Sequence, residues 1–245
     1  MKRLIVPLKA ISGDRIHITD KEDIAYLSVV LRMKEGGRLL VSDGEGKSWD
    51  TRVENISRGG IGLSIISALS ENEDNKTKVT LYQGLPKGAK MDEIVRKATE
   101  LGVFRVVPVK TDRSIPAADN AATMKYERWR RIAKEASKQS ARFVVPEVSN
   151  ALNLEEAVAV LSNKAYDLIL VLYELEEART LKQALRGSNA REIAVFIGPE
   201  GGFEQSEVDR LNNKGAVSVT VGDTILRTET AGPAAVAMIL YELEL

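Results

Sequence analysis

The stretch of sequence that decides the fold is residues 193–203, which read IAVFIGPEGGF. Its first five residues form an unbroken aliphatic and aromatic run, which is typical of a strand buried on both faces of a parallel sheet. A loop rich in glycine, with one proline, follows at once. Because ligands bind at the carboxyl ends of strands in open α/β sheets, this loop stands where a binding site is expected. The same composition is also typical of a turn that binds nothing.

The loop at 197–203 carries neither of the common phosphate-binding patterns. It has no G-x-G-x-x-G spacing, and no Gly-Lys pair followed by Ser or Thr. The missing Cβ atoms at Gly198, Gly201 and Gly202 let a flat ligand approach the backbone. Pro199 stiffens the loop and removes a donor. These features favour an uncharged heterocycle held by backbone groups over a phosphate.

A second loop, at residues 221–231, reads VGDTILRTETA and follows another β-branched run. Thr228 or Thr230 can cap the helix that closes the chain, and Glu229 suits its first turn because a helix N-terminus carries partial positive charge. Arg227 does not fit this explanation, since a cation there opposes the helix dipole. Arg227 is therefore expected to serve the substrate or a partner carboxylate.

Outward from these loops, residues 77–245 alternate between strand and helix patterns. The predicted strands occupy residues 79–83, 103–109, 167–172, 193–197 and 217–221. The predicted helices occupy residues 90–101, 121–142 and 230–243, and a further helix opens at a capping box in residues 153–156. The helix at 90–101 carries apolar residues at helical spacing: Met91, Ile94, Val95, Ala98 and Leu101. This alternation predicts an α/β domain with a mainly parallel sheet covered on both faces.

Residues 1–70 show a β pattern instead. Short strands are predicted at 15–19, 38–41 and 61–66, with a hairpin turn at 43–46 and one short helix at 22–31. Several short strands at this spacing predict a small β-barrel. Residues 70–76, SENEDNK, are all polar. The predicted organisation is therefore a barrel at 1–70, a linker at 71–76 and the α/β domain at 77–245.

The composition excludes several kinds of site. The chain has no cysteine and one histidine, His17. Disulfides, thiolate zinc sites and cysteine nucleophiles are therefore excluded, and histidine-based metal clusters and catalytic triads are disfavoured, so no metal is expected. No apolar run approaches the roughly 20 residues that span a bilayer, and we expect a soluble protein of the cytoplasm.

The net charge of zero conceals an uneven distribution. Residues 76–150 hold 16 basic and 8 acidic side chains, whereas residues 151–245 hold 8 and 15. Such asymmetry indicates nucleic-acid contact, although a solvated helical surface explains it equally well. In the predicted helix at 121–142, basic residues that suit phosphate binding share one face: Arg128, Arg131, Lys138 and Arg142. Trp129 lies on the opposite, apolar face and is expected to be a core residue.

The two loops together resemble those of the SPOUT methyltransferases, and the nearest resemblance is to the 16S ribosomal RNA uracil-N3 methyltransferase family. Further segments match this family in the same order along the chain: LPKGAKM at 85–91, KATELGV at 97–103, RS at 113–114, RW at 128–129 and EASKQSAR at 135–142. The resemblance covers nearly the whole chain. The chain departs from the family pattern at residues 25–27, at Thr224 and at residues 138–142.

The resemblance implies a C-terminal trefoil-knotted SPOUT domain of the α/β class, an N-terminal PUA-like β-barrel that docks RNA, and a homodimer. It implies S-adenosyl-L-methionine as cofactor, bound by residues of one strand and the two loops: Leu172, Gly198, Pro199, Glu200, Gly201, Gly202, Val221, Gly222, Ile225, Leu226, Thr228, Thr230 and Ala231. Arg227 and Arg113 are the candidates for stabilising a developing uracilate oxygen, and Glu229 would orient Arg227 or take the N3 proton.

The implied reaction is methylation of N3 of a uridine in 16S ribosomal RNA on the small ribosomal subunit. Two alternatives stay open at this point. One is a SPOUT methyltransferase acting on another RNA, such as transfer RNA, and the other is a non-catalytic RNA-binding assembly factor. Mapping the methylated nucleotide decides the first, and cofactor binding decides the second.

Overall fold

The computed structural model describes residues 2–57, 59–69, 77–114, 119–163 and 166–244. The chain divides into two compact units. The first unit comprises Met1–Asp74 and Ser137–Val145, and the second comprises Asn75–Ala136 and Pro146–Leu245. No local sequence pattern indicated that Ser137–Val145 groups with the first unit. The linker predicted at 71–76 lies outside the described residues.

The first unit is built on a six-stranded sheet with the order β1-β4-β5-β6-β3-β2. Its strands are β1 (Arg3–Ile5), β2 (Ile11–Ser12), β3 (Arg15–Ile18), β4 (Arg38–Ser42), β5 (Ser48–Ser57) and β6 (Gly60–Leu69). Its helical segments are a 3-10 turn at Leu8–Ala10, α1 at Lys21–Ala25 and a π-helix at Tyr26–Val30. Apart from the parallel pair β1–β4, neighbouring strands pair antiparallel. Irregularities between β5 and β6 at Asp50/Thr51 and Val53/Asn55 bend these long strands around the unit's apolar core.

The second unit has a seven-stranded sheet in which every pairing is parallel, as the alternating pattern predicted. Its strands are β7 (Lys78–Gly84), β8 (Arg105–Lys110), β9 (Glu147–Val148), β10 (Leu152–Asn153), β11 (Leu168–Leu172), β12 (Glu192–Ile197) and β13 (Val217–Val219). Its helices are α2 (Lys90–Glu100), α3 (Asp119–Gln139), α4 (Leu154–Asn163), α5 (Leu181–Leu185), α6 (Gln205–Asn212) and α7 (Thr228–Glu244), although the last three residues of α3 belong to the first unit.

Strand β12 lies near the middle of this sheet, between β7 and β11. Residues 193–197 of β12 are all buried, which is the reason for the unbroken apolar run in the sequence. The Phe196 ring stacks on the Tyr82 ring of β7 with 4.3 Å between centroids. In the register, Ile197 stands opposite both Gln83 of β7 and Leu172 of β11. The glycine-rich loop after Ile197 therefore leaves the sheet between the ends of two neighbouring strands.

The helices largely follow the predicted periodicity. Helix α2 buries Met91, Ile94, Val95 and Ala98, whereas Leu101, the last residue of the apolar pattern, lies beyond its last turn and is 43% exposed. The capping box that opens α4 is present, since the Glu156 amide donates to Asn153 Oδ1 and the Asn153 amide donates to Glu156 Oε2, each at 2.8 Å.

The end of α3 differs from the prediction. The helix stops at Gln139, and Ala141 takes a positive φ of 58°. The predicted helix at 121–142 is therefore wrong for residues 140–142, which are not helical. Within the first unit, the Val145 amide donates to the Gly44 carbonyl at 2.9 Å, and the Arg3 guanidinium lies 4.5 Å from the Phe143 ring centroid. Backbone pairing and a cation–π contact thus attach this segment to β1 and to the loop after β4.

Candidate functional site

A cavity of about 970 Å³ opens at the carboxyl ends of β11, β12 and β13. Its volume is that of a site for a cofactor-sized molecule. The first turn of α7 and both loops singled out from the sequence form its walls. It brings together all the predicted cofactor residues except Thr230: Leu172, Gly198, Pro199, Glu200, Gly201, Gly202, Val221, Gly222, Ile225, Leu226, Thr228 and Ala231. Thr230 is exposed and does not line the cavity.

The glycines after β12 are required by the loop itself. A Cβ at Gly198 would lie 2.8 Å from the Gly202 carbonyl carbon. Gly202 has a φ of +70°, and a Cβ there would lie 2.1 Å from a Glu174 carboxylate oxygen. A Cβ at Gly201 would lie 3.1 Å from Arg113 Cδ. Because protein atoms occupy the space that these missing Cβ atoms leave, the expectation that all three glycines make room for a ligand needs correction.

Beneath the cavity, a buried hydrogen-bond chain fixes the loop. The Thr228 hydroxyl donates to the Gly198 carbonyl at 2.7 Å and accepts from Gln83 Nε2 at 2.9 Å. Gln83 is fully buried, and its Nε2 also donates to the Gly84 carbonyl at 3.1 Å. Gln83 was not among the predicted site residues, since its only signal in the sequence is a polar residue at the end of a buried strand. The Thr228 hydroxyl thus joins the first turn of α7 to the Gly198 loop, a contact that the expected choice of Thr228 or Thr230 as helix cap did not include.

One ammonium group bridges two carboxylates at the cavity wall. Lys90 Nζ lies 2.9 Å from Glu200 Oε1 and 3.6 Å from Glu229 Oε2. The hydrogen bond with Glu200 raises the pKa of Lys90. Burial raises the pKa of Glu200, but hydrogen bonds from Lys90 and the Lys87 amide outweigh it and hold that pKa below its ordinary value. In the described structure Glu229 pairs with Lys90, and its buried Oε2 accepts no hydrogen bond.

The two candidate arginines differ in their surroundings. Arg227 is exposed and lines the cavity, and within the described part of the chain its guanidinium makes no ion pair or hydrogen bond. Arg113 lies outside the cavity lining, where its Nε donates to Glu204 Oε1 at 2.7 Å and its Nη1 donates to the Gly201 carbonyl. The hydrogen bond with Glu204 raises the pKa of Arg113. Arg113 therefore braces the glycine-rich loop, whereas Arg227 is available to a ligand.

The cavity is acidic. Two basic residues, Lys90 and Arg227, line it, and they face a larger set of carboxylates: Glu174, Glu176, Glu177, Glu200, Asp223 and Glu229. Like charges in a confined site repel, so this lining disfavours a phosphate and favours a cationic ligand. The cavity agrees with the expectation, drawn from the loop at 197–203, of a ligand without phosphates.

Three of the predicted RNA-contacting residues, Arg128, Arg131 and Lys138, lie on α3 at the predicted helical spacing, but Arg142 lies beyond its end. Arg128 forms an ion pair with Asp92 Oδ2 at 2.6 Å, and the buried Trp129 donates to the other oxygen of Asp92 at 3.0 Å, as suits a core residue. Arg131 is exposed. Lys138 pairs with Asp23 of the first unit at 3.0 Å. Arg142 lies beyond the end of α3, and its amide donates to the Ser137 carbonyl at 3.0 Å.

Across the ranges that the structure describes, His, Asp and Glu form no cluster of three or more that could hold a metal ion. No helix in those ranges combines the length and the apolarity needed to cross a membrane.

The parallel sheet, the acidic cavity at its strand ends and the separate β-rich unit define an α/β ligand-binding protein with an appended β domain. The RNA methyltransferase domain family matches residues 73–240, and the RNA methyltransferase PUA domain family matches residues 18–66. The chain therefore belongs to the RNA methyltransferase family and carries a PUA domain before the methyltransferase domain. This match confirms the resemblance drawn from the sequence.

Two curated relatives match this chain over nearly its whole length. Ribosomal RNA small subunit methyltransferase E of Bacillus subtilis is 32% identical over 98% of this chain and 92% of its own length. The protein of that name from Synechocystis is 32% identical over 99% of this chain and 78% of its own length. A crystal structure of the Neisseria gonorrhoeae protein of the same name, bound to S-adenosyl methionine, superposes with a TM-score of 0.80 at 29% identity, covering 98% of this chain and 97% of that one.

Proposed function

We propose that this chain transfers a methyl group from S-adenosyl-L-methionine to the N3 atom of a uridine in 16S ribosomal RNA of the small subunit. The acidic cavity at the strand ends is the observation that carries the proposal. Relatives named ribosomal RNA small subunit methyltransferase E, one of them crystallised with that cofactor, support it.

The residues present fit this cofactor. S-adenosylmethionine carries a positive sulfonium and an ammonium group, and it has no phosphate. A lining rich in carboxylates, with Glu174 and Asp223 among them, complements those cations. The loop backbones at Gly198–Gly202 and Val221–Gly222 supply the donors and acceptors that a neutral adenine requires. When bound, the cofactor supplies an electrophilic methyl group.

The chain's own residues then have two tasks, positioning and charge stabilisation. N3 of uracil carries a proton at neutral pH, so a base must accept that proton and a cation must stabilise the developing oxygen charge. Glu229 suits the first task, because this residue lines the cavity and Lys90 holds its carboxylate at the cavity wall. Arg227 suits the second, because its guanidinium is not committed to any described partner and lines the same cavity.

The PUA-like unit fits the role of docking RNA, and the family match of residues 18–66 supports this assignment. Uracil N3 as the acceptor, a homodimer, a trefoil knot and a cytoplasmic location are implied by the family resemblance and stay predictions.

The decisive experiment uses small ribosomal subunits that lack the modification. The purified protein is incubated with these subunits and S-adenosylmethionine, and the nucleosides are analysed by mass spectrometry. We expect one N3-methyluridine per subunit, in 16S ribosomal RNA. Methylation of transfer RNA alone would show that the substrate is transfer RNA and not 16S ribosomal RNA. Tight binding of NAD or ATP, with no binding of S-adenosylhomocysteine by calorimetry, would contradict the cofactor assignment.

A further inference from the structure

We infer that Lys90 is a positioning residue for the reaction, an inference that rests on the proposed function for its kinetic part. One ammonium lies within 4 Å of Glu200, in the loop after β12, and of Glu229, in the first turn of α7. A single cation thereby sets the positions of a cofactor-loop carboxylate and of the carboxylate proposed as the base. Neither the sequence motifs nor the family comparison assigns Lys90 this task.

The local structure of α2 offers no other reason for a lysine at this position. Lys90 is the first residue of α2, where a cation opposes the helix dipole, whereas Asp92 and Glu93 in the same turn complement it. The preceding residue, Ala89, provides no side-chain cap. The two carboxylates across the cavity wall explain the lysine, because they compensate a charge that the helix itself disfavours.

The two ion pairs act on different parts of the site. Glu200 also accepts a hydrogen bond from the Lys87 amide at 3.0 Å. Lys90 and the Lys87 amide therefore both hold the Glu200 carboxylate, and through it the glycine-rich loop. Glu229 Oε2 is buried and accepts no described hydrogen bond, so Lys90 is the cation that compensates its charge. Without Lys90, two carboxylates would share this wall, repel each other and move apart.

The test uses Lys90→Met, which keeps the aliphatic stem and removes the charge. Lys97→Met is the matched control. Lys97 lies on the same helix but does not line the cavity, and its Nζ lies 2.6 Å from Glu93 Oε1. We expect Lys90→Met to lower kcat by about 100-fold through misplacement of Glu229, and to raise KM for S-adenosylmethionine through loosening of the Glu200 loop. Lys90→Arg should restore much of both, because a guanidinium can donate to two carboxylates. Lys97→Met should change neither.

Two measurements distinguish positioning from direct contact with substrate. In hydrogen exchange of the ligand-free full chain, Lys90→Met should lose protection at the Lys87 amide, which Glu200 covers, and Lys97→Met should keep it. Adding Glu229→Gln to Lys90→Met should slow the reaction no further than the slower single change, since both act on one group. Unchanged exchange at Lys87, or fully multiplicative rate losses, would overturn the inference. If the wild-type chain methylates no RNA, the proposed function fails, while the exchange result still decides whether Lys90 holds the loop.

Discussion

At the scale of single residues, the site separates arginines that build the fold from one that is available for chemistry. Arg113 is held by Glu204 and by the Gly201 carbonyl, whereas Arg227 has no such partners in the described structure. Arg227 could be identified from the sequence, because a cation at the start of α7 opposes the helix dipole and needs another explanation. The partners of Arg113 are more than 80 residues away along the chain, so no local pattern could reveal them.

Arg227→Ala should therefore affect the reaction and leave the fold intact. Removal of one preorganised donor to a developing oxyanion typically costs about 2.7–4 kcal/mol of barrier, or roughly 10²–10³ in rate. We expect that loss in single-turnover methyl transfer, with the melting temperature and S-adenosylhomocysteine binding unchanged. Arg227→Lys should restore the rate only in part, because a point charge does not reproduce the planar fork.

Arg113→Ala provides the contrast. It breaks the contacts with Glu204 and Gly201, so we expect weaker S-adenosylhomocysteine binding through the glycine-rich loop. A clear fall in melting temperature for Arg227→Ala would show that Arg227 is structural, and Arg113 would become the leading candidate for charge stabilisation.

At the scale of elements, hydrophobic periodicity predicted the strands and helices whose own burial repeats along the sequence. It missed the elements that are held by pairing with distant strands. The buried runs of β7, β11 and β12 and the apolar stripe of α2 were visible because their burial repeats along the sequence. The ten-residue strand β5 was missed because its sequence, SWDTRVENIS, is mostly polar and pairing with β4 and β6 holds it in place. Gln83 and Lys90 were missed for a related reason, since their partners belong to other strands and loops.

Helix α3 yields a prediction about RNA binding. Arg131 is exposed, whereas Arg130 is committed to Glu127, Asn150 and the Val148 carbonyl. Arg131→Gln should weaken RNA binding and flatten the slope of log affinity against log salt by about one, because one phosphate contact is lost. Binding assays over a range of salt concentrations measure this slope.

Arg130→Gln is the matched control for α3, since its guanidinium is already occupied by protein groups, and its slope should equal that of the wild type. Arg128→Gln should lie between the two, because Asp92 competes with phosphate for its charge. Equal slopes for Arg131→Gln and the wild type would show that this part of α3 is a solvated surface that does not contact RNA.

At the scale of the whole molecule, the chain separates ligand binding from the PUA-like unit. Every residue that lines the cavity belongs to the second unit. The two hydrophobic patterns of the sequence predict a division after residue 70, but they do not reveal that Ser137–Val145 belongs to the first unit. That assignment depends on contacts with Gly44 and Arg3, which lie far away along the chain.

A chain that begins at Asn75 should therefore keep the cavity and lose RNA affinity. We expect calorimetry to show S-adenosylhomocysteine binding close to that of the full chain, while methylation of small subunits becomes slow.

Removal of Arg3, Asp23 and Gly44 also strips the partners of the segment 137–145. That segment should become open to proteolysis and should promote aggregation through Phe143, and Phe143→Ser in the shortened chain should reduce the aggregation without changing ligand binding. A shortened chain that is folded by circular dichroism yet binds no S-adenosylhomocysteine would show that the cavity needs the first unit, because all of its lining residues would still be present.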